Sequence, residues 1–472
     1  MTKTKLQLIH EASMKILAKT GMKFHHPEAV EILKNHGIKV ENNVAYFTED
    51  QLMYWVRKAP SRFTLYARNP EHNVVIGGDE INPAPPYGCP SIMEKDGTKR
   101  DGTIQDYVNY AKLFHANEDY HIDGGLMIQP NDIDIPTSCL AMFFAALTHT
   151  DKALMISTGK QEYMEAIIDC AAEVFGGKEA LKAYPRMLTI MNINTPLQLD
   201  VVMSEVLLTL AKNGQPFVAA NCAMAGSTSP ITLAGTMAMT NAEVLSCIAL
   251  TQMVNPGTPV VYASQSTTSD MRTGQIACGS PEGALCYKYT AQLAKFYGLP
   301  CRGGGAVTDS KVVDAQSGYE SMMTLMADWS NNMNLIIHSA GILDSYNATS
   351  YEKLIQDFEI VRYVKRYFRD FEVNDDTIPL DLIDEVGHSG EFLTKDHTFQ
   401  YCHSEPLNPT ISSRGRVSDN LHQLDINIEK RYNQLMDSYV QPQLDAATLE
   451  KVKEILTSHG VDRSLLDKIE TM

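Results

Sequence analysis

The sequence predicts an α/β protein built on a (β/α)8 barrel of TIM type, with an N-terminal helical cap and a C-terminal helical extension. Three observations carry that prediction. Seven apolar, strand-like runs recur at spacings of roughly 30–42 residues: 121–128, 153–159, 187–195, 216–222, 259–266, 300–307 and 334–341. Helix-period segments such as QEYMEAIIDCAAEVFG, VVMSEVLLTLAKNG and ALCYKYTAQLAKFYG lie between them, and each ends at glycine, a frequent helix terminator. Continuous apolar strands alternating with helices imply a parallel sheet covered on both faces. A Rossmann-type sheet is disfavoured because no G-x-G-x-x-G follows the first run. Seven units nearly complete a barrel, and the eighth strand is not placed by the pattern.

The elements divide the chain into a cap (1–90), a barrel (91–371) and an extension (372–472). In the cap, LQLIHEASMKILAKTG is a helix stopping at Gly21, and Pro27 opens a second helix that stops at Gly37. Thr48 and Gln51 fit a capping box for a third, ended by Pro60. FTLYARN and NVVIGG read as short strands, and the Pro-rich stretch 81–90 reads as a junction loop. Beyond 371 the composition turns acidic and aromatic, and segments 445–460 and 463–470 are expected as exposed terminal helices.

A length of 472 residues supports one large barrel with additions. The net charge of −17 disfavours nucleic acid and anionic membrane surfaces as partners. The opening MTKTKLQLIHEASMKI is charged and amphipathic, unlike a secretory signal, and no unbroken apolar run reaches bilayer length. Nine cysteines, with no C-x-x-C pair, suit reduced thiols in a cytoplasmic protein. The spacing of His388, His397 and His403 matches no ligand motif, so no protein-bound metal is expected.

In a barrel of this type chemistry sits at the C-terminal ends of the strands. Those ends hold Asn192, Asn194, Thr195, Asn221, Cys222, Tyr262, Ser264, Gln265, Ser266, Arg302 to Asp309, and His338. The set is strongly polar but poor in charge, which suits a reaction with no obligatory proton transfer. Gly303, Gly304 and Gly305 let the backbone approach a ligand closely. Asp309, Lys311, Gln316, Tyr319 and Glu320 crowd polar groups behind them. Alone, each of these residues is equally compatible with a turn, a salt bridge or ordinary core.

The run CRGGGAVTDSKVVDAQSGYE (301–320), with NLIIHSAGILDS (334–345), GSPEGA (279–284) and QDFEIVR (356–362), resembles the trimethylamine methyltransferase family. The likeness is greater to the branch that lacks pyrrolysine and demethylates quaternary amines. The resemblance implies a barrel and transfer of a methyl group to the Co(I) corrinoid of a separate small protein. That corrinoid protein is the expected partner, the corrinoid the expected cofactor, and a homo-oligomer the expected assembly. Pyrrolysine falls near the end of a late strand in the trimethylamine enzymes. The matching region here, His338 to Gly341, reads through with ordinary residues, so a pre-charged betaine is implied. Proline betaine, glycine betaine, carnitine and γ-butyrobetaine suit the branch, with proline betaine favoured.

A betaine needs aromatic faces for its ammonium head and a donor for its carboxylate. Tyr87, Tyr262, Tyr319, Trp329 and Tyr346 are the aromatic candidates, and Gln265, Gln316 and Glu320 the polar ones. Arg302, His338 and Arg272 are the donor candidates. Gly303, Gly304, Gly305, Asp309 and Gly341 are expected to face the corrinoid. Two other readings fit the same residues: a barrel lyase or aldolase using Lys311 as a Schiff base, and a betaine-binding protein without turnover.

Overall fold

The computed structural model describes residues 3–415 and 423–472; residues 1–2 of the expected cap and 416–422 of the expected extension lie outside them. Eight parallel strands form one sheet: β1 Asn82–Pro83, β2 Ile122–Gly124, β3 Ala153–Met155, β4 Met187–Ile193, β5 Phe217–Asn221, β6 Val260–Ser264, β7 Cys301–Arg302 and β8 Leu335–Ile336. Neighbours run β1-β8-β7-β6-β5-β4-β3-β2, so the sheet curls into a nearly closed barrel whose seam lies between β1 and β2. Helices follow the strands in alternation: α1 Ile104–Ala116, α2 Ser138–His149, α3 Gln161–Phe175, α4 Val201–Lys212, α5 Leu233–Val254, α6 Pro281–Tyr297, α7 Ala315–Trp329 and α8 Tyr351–Phe368. α3 and α6 end on left-handed Gly176 and Gly298, as their sequences imply.

The eighth strand is β1, inside the stretch expected to be a loop. It is only two residues long and runs into Pro83, Pro85 and Pro86, so it carries no alternating signature. Pro83 is tolerated because the ladder to β8 uses its neighbours. The Asn82 and Ala84 amides donate to the Asn334 and Ile336 carbonyls at 3.0 and 2.9 Å. Above the seam, Gly88 N donates to Leu126 O and Gln129 N to Cys89 O.

The lumen is filled by alternate residues of the strands, among them Ile122, Met155, Leu188, Ile190, Val218, Ala220, Val261, Ala263 and Leu335. Its lower end is plugged by a hairpin, Arg62–Leu65 paired antiparallel with Val74–Gly77. Phe63, Leu65 and Ile76 of this hairpin join the lumen cluster. Helix Lys5–Lys19, held by a Thr4–Gln7 capping box, and helix Glu49–Val56, held by Thr48 and Gln51, pack outside.

α5 is long and apolar enough to cross a bilayer. Thr, Ser, Asn and Glu residues interrupt its apolar runs, which hides this from a search for an unbroken stretch. It is buried from Thr236 to Met253 as a core helix of the barrel wall. The terminal helices Ala446–Ser458 and Arg463–Thr471 are not merely exposed, as expected, because each buries an apolar stripe. Val452 and Leu456 are buried on one, and Leu466 and Ile469 on the other. The Ile469 carbonyl meets His149 Nε2 of α2 at 2.8 Å. Between α8 and these helices, residues 370–410 carry ten carboxylates against one lysine. Their two helices, Leu380–Val386 and Asp396–Tyr401, bury no side chain.

Candidate functional site

Strand alternation aims specific side chains into the mouth. Continuing the inward row of β4, β5 and β6 by two residues from Ile190, Ala220 and Ala263 gives Asn192, Cys222 and Gln265. Arg302 is registered beside Ala263 and therefore also points inward. Asn192 and Cys222 are accessible to water, so the mouth opens on their side. Arg302, Gln265 and His338 are buried below it.

Arg302 is the centre of the site. Its guanidinium is buried, and its Nε and Nη2 have no hydrogen-bond partner among the described residues. Burial pushes its pKa down, and the polar groups nearest in its field are Tyr346, Tyr287, Cys222 and Asp328. A buried cation without an acceptor is costly, and a bound carboxylate would satisfy it. Gln265 Nε2 lies within hydrogen-bond reach of Tyr287 Oη and Gly304 O, both at 3.0 Å, and of Tyr346 Oη, and shares its two N–H donors among the three. Its Oε1 is buried without a donor among the described residues.

His338 adopts a left-handed backbone (φ 68°) and faces Tyr346, with ring centroids 4.9 Å apart. Its Nδ1 accepts the Tyr87 amide at 3.1 Å, so the neutral ring carries its proton on Nε2 as a donor. Burial, and then Arg302, hold its pKa well below the ordinary value. The Tyr87 ring joins the lumen cluster, and its hydroxyl lies 3.2 Å from Thr189 Oγ1.

The triple glycine is held from behind. Gly305 N donates to Asp328 Oδ2 at 2.8 Å. Gly304 has φ 65°, and a Cβ there would stand 1.8 Å from the same carboxylate. A Cβ on Gly305 (φ 121°) would meet the His338 carbonyl at 2.5 Å. Gly303 needs no unusual φ, but a Cβ would press the Met333 methyl at 3.1 Å. Asp328 is fully buried, its Oδ1 has no partner among the described residues, and burial raises its pKa well above the ordinary carboxylate value.

Several expected site residues stand elsewhere. Tyr262 precedes the inward Ala263 and faces outward, donating to Asn241 Oδ1 of α5 at 2.9 Å. Tyr319 is 63% exposed on α7 and is not brought to the mouth. The Glu320 carboxylate accepts Thr308 Oγ1, Asp309 N and Gln316 Nε2, which makes it and Gln316 part of a loop brace. Asp309 ties three loops together, accepting Cys278 N at 2.8 Å, Gly279 N at 3.2 Å and Ser345 Oγ at 2.6 Å. Gly341 borders no open space: a Cβ would meet Thr349 Oγ1 at 2.9 Å, and its amide donates to Asp357. Arg272 stays on an exposed loop. Lys311 is exposed and ion-paired with Asp344 at 2.5 Å, away from the buried cluster.

The structure adds Asp328, Tyr287 and Cys278, which sequence reasoning missed. Glu320, Thr324 and Asp328 recur at i, i+4 and i+8 on the buried face of α7, and that polar stripe was the available signal. Glu243 of α5 is a further buried carboxyl beside the mouth. It accepts Thr195 Oγ1, Leu197 N and Asn221 Nδ2, and burial pushes it up to about 7.

The fold and this mouth define a (β/α)8-barrel enzyme whose strand ends offer a buried guanidinium, unpartnered at Nε and Nη2 among the described residues, beside tyrosine rings. The family model for trimethylamine methyltransferase (MTTB) matches residues 1–459, and the chain belongs to that family of corrinoid-dependent methyltransferases. It is 42% identical to the glycine betaine methyltransferase of Desulfitobacterium hafniense (strain Y51), over 98% of this chain and 97% of that protein. It is 30% identical to the L-carnitine:corrinoid methyltransferase of Eubacterium limosum, over 96% of each chain. It is 28% identical to the proline betaine:corrinoid methyltransferase of the same organism, over 93% of each.

Proposed function

We propose that this enzyme demethylates a small betaine, glycine betaine in particular, and passes the methyl group to a corrinoid carried by a separate protein. The observation that carries the reading is Arg302, a buried guanidinium whose Nε and Nη2 have no acceptor among the described residues. A forked guanidinium matches a carboxylate, the one anionic group that every betaine has. Identity of 42% to a glycine betaine enzyme, against 28% to a proline betaine enzyme, moves the favoured substrate from proline betaine to glycine betaine.

The chemistry of the mouth supports an external nucleophile. Burial raises Cys278, Tyr287 and Tyr346 well above their ordinary values, and the Cys222 thiol, open to water only through the mouth and walled in by protein otherwise, is pushed up to about 11. None of these groups is ionised at neutral pH, so none is an activated nucleophile. A partner's corrinoid would supply, as Co(I), the nucleophile that these side chains do not. The leaving group is a neutral tertiary amine, which takes no proton, and the neutral His338 is consistent with that.

The residues present then bind and orient. Arg302 holds the carboxylate, and His338 Nε2–H is a further donor. Tyr346 and Tyr287, fixed by Gln265, offer aromatic faces to the methylammonium, each worth about 0.5–2 kcal/mol. Excluding water strips the ammonium of hydration and keeps the methyl carbon open to attack.

The test is a substrate panel with a Co(I) corrinoid protein, followed by cobalt absorbance. Glycine betaine should be turned over, and choline and trimethylamine, which lack the carboxylate, should be poor. Equal turnover of trimethylamine would refute the reading.

A further inference from the structure

Large apolar side chains are exposed at the tips of the strand-to-helix connections, at the mouth end of the barrel. Ile135 lies between β2 and α2, Val201 at the start of α4, Ile231 between β5 and α5, Met271 between β6 and α6, and Val312 between β7 and α7. Met271 is 71% exposed and Ile231 56%. The two are neighbours, since a Cβ on Gly226 would meet Ile231 Cδ1 at 2.7 Å and Met271 Sδ at 3.1 Å. Five of the eight connections therefore contribute to one broken apolar ring around the opening above Asn192, Cys222 and Arg302.

We propose that this ring is the seat of the corrinoid-carrying protein, pressed most closely on the Ile231–Met271 side. The inference rests on the methyl-transfer reading above. A cofactor carried by another protein reaches a substrate on Arg302 only through the mouth. Whatever brings it must cover the loop tips that ring the mouth, and the ring is continuous with the site it surrounds. Scattered apolar residues on a surface need no explanation, but apolar residues framing a catalytic opening match the anatomy of a protein-binding face. The rim of the ring carries both signs of charge: Arg272 beside Met271 is exposed with Asp270 in the same turn, and Asp132 and Asp134 precede Ile135. The fitting partner face is apolar, to match the ring. The acidic segment 370–410 also exposes apolar residues, including Phe371, Leu393 and Phe399, but it follows the C-terminus of α8, toward the opposite end of the barrel. It serves as the control surface.

The experiment uses the full-length enzyme with a corrinoid protein that it methylates, and in parallel with free cob(I)alamin. The variants are I231E/M271E, V312E and, as control, F399E. I231E/M271E should raise the KM for the corrinoid protein at least tenfold, and V312E severalfold. Glycine betaine affinity and methylation of free cob(I)alamin should stay within twofold of wild type, and F399E should match wild type with both acceptors. An unchanged KM for the corrinoid protein in I231E/M271E would overturn the proposal. So would a parallel fall with free cob(I)alamin, which would make these tips part of the pocket. A drop in molar mass without a change in that KM would assign the ring to a second copy of the chain and also overturn it. Failure of wild type to methylate any corrinoid would instead refute the underlying methyl-transfer reading.

Discussion

The two ends of the barrel are built on opposite terms. At the lower end the inward side chains are apolar, and the hairpin residues Phe63, Leu65 and Ile76 close the lumen. At the upper end the same strands present Asn192, Cys222, Gln265 and Arg302, and atoms of Gln265, Arg302 and Asp328 are buried there without hydrogen-bond partners among the described residues, against Asp151 Oδ1 at the lower end. Lower-end side chains reach their packing partners on folding, whereas upper-end groups such as Arg302 complete their contacts only with a ligand. One end contributes stability and the other holds unmet bonding capacity, so substitutions at the two ends should separate folding from function.

The largest expected effect is at Arg302. Truncating one partner of a buried charged pair costs about 2–5 kcal/mol, or roughly 30- to 5,000-fold. Arg302→Met should lower kcat/KM for glycine betaine within that range and leave the melting temperature unchanged or raised. A wild-type kcat/KM would return Arg302 to the barrel wall. Gly304→Val comes next. Its side chain would collide with Asp328 and sit at φ 65°, so methyl transfer should largely vanish while unfolding stays cooperative. Normal activity would show the glycine run to be an ordinary turn.

The lower end gives the converse. Leu65→Ala should cost about 2–5 kcal/mol of stability by leaving a cavity, with KM for the betaine unchanged. A shift in KM as large as that of Arg302→Met would break the division between the ends. A smaller effect is expected at Glu243, whose carboxyl is raised from 4.5 to about 7. The folded state holds this proton more tightly than the unfolded chain. The associated stability is complete below pH 4.5 and is lost as pH rises through 7. Denaturation midpoints of Glu243→Gln should decline less than those of wild type over that window. Smallest of all, Tyr319→Leu should leave betaine affinity within twofold, since the ring lies on the exposed side of α7.

Much of the fold was legible because seven strands were apolar enough to stand out against amphipathic helices. β1 was not, because its ladder survives on two amides flanking a proline. At the site, Arg302, Gln265 and His338 were legible as polar residues ending apolar runs. Tyr262 was misread although alternation already separates it from Ala263. Tyr319 and Glu320 were drawn in by nearness to the glycines, whereas helix geometry sends one outward and engages the other in bracing. Asp328 was missed because it comes 23 residues after Gly305 and reaches it only when α7 folds back.

β1 has a consequence for how the chain comes into being. Its partner in the sheet is β8, so Asn82 pairs with Leu335, while among the described residues no ladder joins β1 to β2. During synthesis the first strand leaves the ribosome about 250 residues before its neighbour exists, a delay of roughly 12–50 s at 5–20 residues per second. Throughout that interval an apolar lumen is under construction with one stave missing. Ordering so distant a pair also carries the slow kinetics of high contact order. Nascent chains stopped short of residue 334 should therefore be susceptible to proteases and to capture by chaperones, and release past about residue 350 should bring abrupt resistance.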